Sequence, residues 1–128
     1  MAINLAKQFH TEIVSADSRQ FYREINIGTG KPSLAELEEV RQYLVNSLSI
    51  HEKYSAGQFE TDALECILKI FSGSDYAILC GGSGLYVDLV CNGSDEMPAR
   101  NDELRTQLNE LYKEKGIEAI RKKLLQLA

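Results

Sequence analysis

Asp17 is the first charged side chain after the β-branched and apolar run 13–16. A carboxylate at the carboxyl end of a buried strand has three chemical uses. It can take a proton as a general base, ligate a metal, or accept hydrogen bonds from the amides of the turn that follows. The last is the plain structural use, and the Asp17-Ser18 pair alone does not separate the three. Gly81-Gly82-Ser83-Gly84 lies between the apolar run 76–80 and the helical stretch LYVDLVCNG. Such a turn lets backbone amides and a helix N-terminus approach an anion, and the Ser83 hydroxyl could touch a phosphate oxygen or a metal-bound water. It reads equally as a tight turn in which glycine supplies positive φ. Gly28-Thr29-Gly30-Lys31-Pro32 looks like a phosphate loop but does not sit between a strand and a helix, so Lys31 is expected to be a solvated loop charge. No stretch matches the G-x-x-x-x-G-K-[ST] phosphate loop.

Other reactive types are weaker candidates. His10 and His51 have no second histidine or acid at ligand spacing. Arg19 and Arg23 flank Phe21 and Tyr22, a grouping able to contact RNA phosphates and bases, although loop aromatics also simply pack. Arg121-Lys122-Lys123 reads as a solvated helix face. Cys66, Cys80 and Cys91 are odd in number and form no C-x-x-C pair, which implies reduced thiols in apolar surroundings. The net charge of −5 excludes a bulk nucleic-acid coat protein, so any RNA contact must be local. With 44% hydrophobic and 26% charged residues, the chain has ordinary globular composition. No apolar run reaches the ~18–20 residues of a membrane span. The N-terminus shows no basic region followed by an apolar one, so a cytoplasmic location is expected.

The elements that must position these residues follow from periodicity. Ile3, Leu5, Ala6 and Phe9 mark a short helix over 2–9 with no start signal, which suggests missing upstream sequence. Residues 12–16 read as a buried strand, and 17–33 as a long surface loop of the kind that is usually functional. Ser33 and Glu36 form a capping-box pattern for a helix to about Gln42, and YLVNSL from Tyr43 alternates like a strand. Ser55 opens a helix whose buried face is Phe59, Ala63, Ile67 and Ile70, with Gly73 ending it. Residues 76–80 read as a fully buried parallel strand, and the next helix ends near Gly93. Pro98 and Asn101 open a further helix, and Gly116 separates it from a last one beginning at Ile117. Alternating strands and helices imply a parallel α/β sheet with helices on both faces, where ligands sit beyond the carboxyl ends of the strands.

Taken together, SADSRQFY, INIGTGKP, YSAGQFETDA and ILCGGSGLYVDLVCNG, with Pro98 downstream, stand in the order and spacing of bacterial tRNA dimethylallyltransferases (tRNA isopentenyltransferases). The chain resembles that family from about residue 2 to residue 128. The resemblance implies a nucleotide-binding, P-loop kinase-like α/β fold, here a partial core over 1–98 and the start of a helical insertion over 99–128. It implies transfer of a dimethylallyl group from dimethylallyl diphosphate to the exocyclic amine of the adenosine 3′ of the anticodon, with Mg2+. The partner would be the tRNA anticodon stem-loop and the enzyme a monomer. Asp17 matches the family's general base, which also meets tRNA; Ser18, Arg19 and Gln20 match the tRNA-contacting segment. Ser83 stands where the family has threonine near the diphosphate and the flipped base, and Arg105 matches an arginine that touches tRNA.

The chemistry is coherent. A base inside the anticodon stack must be flipped out to be alkylated, its amine needs a carboxylate to accept a proton, and a leaving diphosphate needs amide donors and positive charge. Besides Ser83, this sequence departs from the family pattern in three ways. The P-loop expected just before Ala2 and a later catalytic arginine are absent, and Arg41-Gln42-Tyr43 stands in place of a Pro-His-His-like stretch. The chain alone is therefore expected to be inactive, with an empty central slot in its sheet and a tendency to self-associate. Alternatives are a fragment of a P-loop small-molecule kinase or adenylate isopentenyltransferase, and a non-catalytic RNA-binding relic.

Overall fold

The computed structural model describes residues 1–95 and 100–127. Residues 1–95 form one compact unit and 96–128 a second. In the first unit the order is α1 (Ala2–Phe9), β1 (Ile13–Ser15), α2 (Leu34–Glu39), β2 (Gln42–Tyr43), α3 (Ala56–Phe71), β3 (Ile78–Cys80) and α4 (Gly84–Asn92). The strands make one parallel sheet in the order β2-β1-β3. They pair consecutively with no gap between them, and β3 is an edge among the described residues. That position also corrects the expectation of a fully buried strand at 76–80. A strand paired on one side keeps partial exposure, and Cys80 is exposed.

β1 is the pivot because its side chains alternate between two cores. Ile13 joins Ala6 and Val40, with Ile3 of α1 and Ile78 of β3 packed against them. Val14 and Ala16 point the other way, into a larger core with Phe21, Phe59, Ala63, Cys66 and Ile70. Helices thus cover both faces, α1 on one and α3 with α4 on the other, and the parallel α/β class expected from the sequence is the one observed. The α3 stripe matches the 3.6-residue period, with Cys66 in the fully buried row and Ile67 only half-buried. Burial pushes the Cys66 thiol pKa up. Cys80 and Cys91 are exposed, which corrects the placing of all three thiols in apolar surroundings.

Local signals explain the helix ends. The Ser33–Glu36 capping box is formed: Glu36 N–H donates to Ser33 Oγ at 3.3 Å and Ser33 N–H to Glu36 Oε2 at 2.8 Å. That bonding holds the Glu36 carboxyl pKa below its ordinary value. α2 ends at Glu39 rather than near Gln42, because Val40 is already extended and feeds β2. Ser55 caps α3 through Gln58 N–H at 3.2 Å. β2 is far shorter than the alternation of YLVNSL suggested. Leu44 and Asn46 take positive φ, 62° and 54°, and turn the chain off the sheet. The rest of that run pairs with the long loop instead: Asn46 N–H donates to Gln20 C=O at 3.0 Å, Leu48 N–H to Phe21 C=O at 2.9 Å, and Arg23 N–H to Leu48 C=O at 2.9 Å.

In the second unit α5 (Asp102–Leu127) is interrupted at Gly116, whose φ of 72° and ψ of −173° are not helical. Asn101 caps its start through Leu104 N–H at 2.9 Å, while Pro98 lies outside the described residues. Among its described residues none is buried, and Leu104, Tyr112, Ile117, Leu124 and Leu125 are exposed. No described helix is long and apolar enough to cross a membrane.

The larger core is aromatic at its centre. Phe59 and Tyr86 stack at 4.3 Å, and the Phe21 ring lies 5.8 Å from each and 5.1 Å from Tyr54. Phe59→Ala should therefore destabilise the protein by about 3–5 kcal/mol. A urea-denaturation loss below about 1 kcal/mol would show that this cluster is not the centre of the core. Tyr54 O–H donates to Asp62 Oδ2 at 2.7 Å. Burial first, and this bond second, hold its phenol pKa far above the ordinary value. Both folded and unfolded forms keep that proton below about pH 10, so the stabilisation is complete there; above it the unfolded chain ionises first and stability falls as pH rises. The urea midpoint should be level to about pH 9 and drop beyond about pH 10, with a shallower drop in Tyr54→Phe. An identical drop in the variant would place the alkaline weakness elsewhere.

Candidate functional site

Two strand ends are tied together backbone to backbone. Ala16 N–H donates to Cys80 C=O at 2.8 Å, and Ser83 N–H to Ala16 C=O at 3.1 Å. The glycine at 81 is obligatory for that approach, since a Cβ there would lie 2.2 Å from the Ala16 carbonyl carbon. At Gly82 a Cβ would lie 3.2 Å from Asp17 Oδ2. The turn is therefore glycine-rich because backbone and carboxylate press against it, and neither Gly81 nor Gly82 takes positive φ. The expectation that glycine supplies positive φ in this turn is therefore corrected: close approach, not a left-handed φ, requires the glycines.

Asp17 uses its two oxygens differently. Oδ1 accepts from Arg19 N–H at 2.9 Å and Gln20 N–H at 3.3 Å, the turn-capping role expected of an aspartate at a strand end. Oδ2 is the oxygen nearest Gly82 and has no hydrogen-bond donor among the described residues. Ser83 is the N-cap residue of α4 yet makes no side-chain cap bond, so its hydroxyl is available at the same edge. Two clefts meet at Asp17 and Gly82. One, of about 380 Å³, runs from the α1 N-terminus past Ser15, Gln20, Lys31 and Gln42 to Cys80. The other, of about 320 Å³, is walled by Ser18, Arg19, Gly28 and Thr29. Asp17, Ser18, Arg19 and Gln20 are thus brought together with the Gly82-Ser83 turn. Arg105 is exposed in the first half of α5, in the second unit.

Some site residues behave unlike their sequence reading. Lys31 is half-buried and spends its ammonium on Tyr22 C=O at 2.6 Å, Asn26 Oδ1 at 3.0 Å and Asn46 Oδ1 at 2.7 Å; it is no solvated charge. The Gln20 side chain donates to Thr29 C=O at 3.2 Å and Gly30 C=O at 3.1 Å, and accepts from Ser15 Oγ at 3.0 Å. Phe21 packs in the core, as loop aromatics commonly do, and Arg23 faces Glu52 at 3.7 Å on the surface. Sequence reading missed Asn26, Asn46, Thr29 and Gln42. Thr29 Oγ1 and Gln42 Nε2 are buried without partners, one in the wall of each cleft. Only the left-handed tolerance of asparagine gave any hint, and that did not point to a lysine.

No group of three Asp, Glu, His or Cys side chains converges among the described residues. Magnesium commonly keeps several waters and binds one or two protein oxygens together with substrate phosphates. Of the side chains at this edge, the Ser83 hydroxyl, which makes no cap bond of its own, fits that limited role.

The chain is similar to the tRNA dimethylallyltransferase of Cytophaga hutchinsonii, at 40% identity over 127 residues, 99% of this chain and 42% of that protein. It is similar to the one from Flavobacterium johnsoniae, at 42% identity over 127 residues, 99% of this chain and 41% of that protein. Among solved structures, the full-length tRNA isopentenylpyrophosphate transferase of Bacillus halodurans matches with a TM-score of 0.71 and 30% identity, covering 98% of this chain and 42% of that one. A eukaryotic dimethylallyltransferase caught acting on tRNA matches with a TM-score of 0.77 and 26% identity, covering 98% and 31%. The chain spans about two fifths of the length of the curated relatives it matches. The IPP transferase family matches residues 20–128, a span that holds loop 28–31 and the Gly81–Ser83 turn and begins three residues after Asp17, and the chain belongs to that family.

Proposed function

We propose that the protein transfers a dimethylallyl group from dimethylallyl diphosphate to the exocyclic amine of an adenosine beside the tRNA anticodon, in the cytoplasm. The observation that carries this reading is Asp17: one carboxylate shared by two clefts, with Oδ1 fixed by backbone amides and Oδ2 left for substrate. A carboxylate held in one orientation before substrate arrives suits proton removal from a weakly basic amine. The amine nitrogen forms its new bond to the allylic carbon, the carbon–oxygen bond to diphosphate breaks, and Asp17 Oδ2 takes the amine proton. Diphosphate leaves with the bonding electrons.

Partition between the clefts follows from their walls. The smaller has Ser18 and Arg19, the residues matching the family's tRNA segment, and takes the nucleotide. The larger reaches the α1 N-terminus, whose amides favour an anion, and takes the diphosphate end of the donor. Magnesium, when carried in with the diphosphate, would neutralise the leaving charge, and the uncommitted Ser83 hydroxyl would be available to it. Arg105 serves the RNA from the second unit. Relatives named as tRNA dimethylallyltransferases, the resemblance of the four motifs and the geometry at Asp17 all support this reading.

Asp17→Asn keeps an oxygen for the Arg19 and Gln20 amides but removes the base. In the complete gene product it should cut transfer to an anticodon stem-loop by about 100-fold or more, with the melting temperature nearly unchanged. Near-normal transfer would take Asp17 out of the chemistry. Ser83→Thr should transfer at a rate close to the parent, and Ser83→Ala more slowly, in the same assay.

A further inference from the structure

The resemblance assigns Gln20 to RNA contact, yet each polar atom of its side chain is engaged inside the protein. Its carboxamide orientation is determined by its partners: a hydroxyl donor, Ser15, on one side and two carbonyl acceptors, Thr29 and Gly30, on the other. Gln20 therefore bolts the end of β1 to the glycine loop. Lys31, at the end of the same loop, is a second bolt, with three N–H groups on three oxygens. The two are joined through Asn46, whose N–H donates to Gln20 C=O while its Oδ1 accepts from Lys31. A closed circuit then runs from the Gln20 side chain to the Thr29 and Gly30 carbonyls, along the backbone to Lys31, across to Asn46 and back to the Gln20 carbonyl, with Ser15 bonded to Gln20 from outside it.

From this circuit we infer that Gln20 and Lys31 are positioning residues that fix loop 28–31 opposite Asp17 and so set the aperture of the cleft that receives the nucleotide. The inference deepens the transferase reading and rests on it. Gly28 and Thr29 form the wall facing Asp17 and Gly82 in the smaller cleft, and both Gly28 and Gly30 have left-handed φ, 76° and 62°. A loop turned by two such glycines has little stiffness of its own. Side-chain bolts supply what the backbone lacks. An error of about 1 Å in a wall that aligns amine and carboxylate can cost ~100-fold in rate.

Gln20→Leu and Lys31→Met remove the hydrogen bonds with little change of volume, and Lys31→Arg restores donors. Two readouts in the complete gene product decide the matter. Amide hydrogen exchange should speed up over residues 26–32 in both truncating variants while α3 stays protected. The kcat for transfer should fall between about tenfold and about 100-fold with KM for dimethylallyl diphosphate within about twofold, and Lys31→Arg should recover part of the loss. If either variant folds poorly, Gln20→Asn, which keeps the amide but shortens the reach, should give the same exchange signature. A raised KM for the stem-loop with unchanged kcat and unchanged loop exchange would mean that Gln20 grips RNA directly, and the inference would fall. Faster loop exchange with normal kcat would overturn it as well. A parent protein without transfer activity would remove the transferase reading itself, and that is seen before any variant is assayed.

Discussion

The contact between Gly81 and the backbone of Ala16 is the constraint on which the rest depends. Paired parallel strands run about 4.7–4.9 Å apart, a spacing set by their backbone hydrogen bonds. Just beyond β1 and β3 the chain at residue 81 passes so near Ala16 that no side chain on residue 81 could fit. Two backbone bonds hold that closure, one from Ala16 N–H and one from Ser83 N–H. The consequence is chemical: Asp17 cannot drift from the Gly82-Ser83 turn, because the residues before each are locked to one another. A carboxylate and a hydroxyl on separate strands become one edge.

Holding that edge takes two cores. Ile13 faces α1 and Val14 faces α3, so the strand carrying Asp17 is packed from both sides. Phe21 sits only a few residues past Asp17 and is buried against Phe59, Tyr54 and Tyr86. It pulls the first part of the loop down into the larger core. The chain between Asp17 and Phe21 is thus pinned at both ends, and its short polar segment, Ser18 to Gln20, has little choice of path. Burial of an aromatic does here what a longer element would do elsewhere.

Much of this was legible from residue types, and the reasons for the exceptions are local. The caps at Ser33, Ser55 and Asn101 and the break at Gly116 follow from side chains bonding their own backbone within a few residues. The apolar runs 13–16 and 76–80 marked β1 and β3 because parallel strands are apolar on both faces. YLVNSL misled because its alternation is real but serves the loop: Asn46 and Leu48 pair with Gln20 and Phe21 rather than with the sheet. Lys31 misled for a different reason. Its partners, Tyr22, Asn26 and Asn46, are up to fifteen positions away, and a lysine in a glycine-rich loop carries no mark of which oxygens will surround it. Asp17 was visible by position, while the division of labour between its two oxygens depends on the turn and on Gly82.

The site is also economical with positive charge. The chain has net charge −5, and Lys31, which lines the larger cleft, turns its ammonium to neutral oxygens of the loop. Arg19 is the cationic side chain in the wall of the smaller cleft and has no ion-pair partner among the described residues. Anionic RNA and diphosphate are usually held by clusters of Lys and Arg, whose contribution is strong, sequence-independent and weakened by salt. A single arginine provides little of that. What residues 1–95 provide instead is direction: an oriented carboxylate, a hydroxyl at a helix start, and a loop held to one position by amide and ammonium hydrogen bonds. In the proposed transfer, direction of this kind would separate the target amine from the many phosphates of an RNA, since a phosphodiester has no proton for Asp17 Oδ2 to take. Selectivity for the reacting atom and affinity for the polyanion are separable properties, and on the proposed reading this edge of the sheet serves the first.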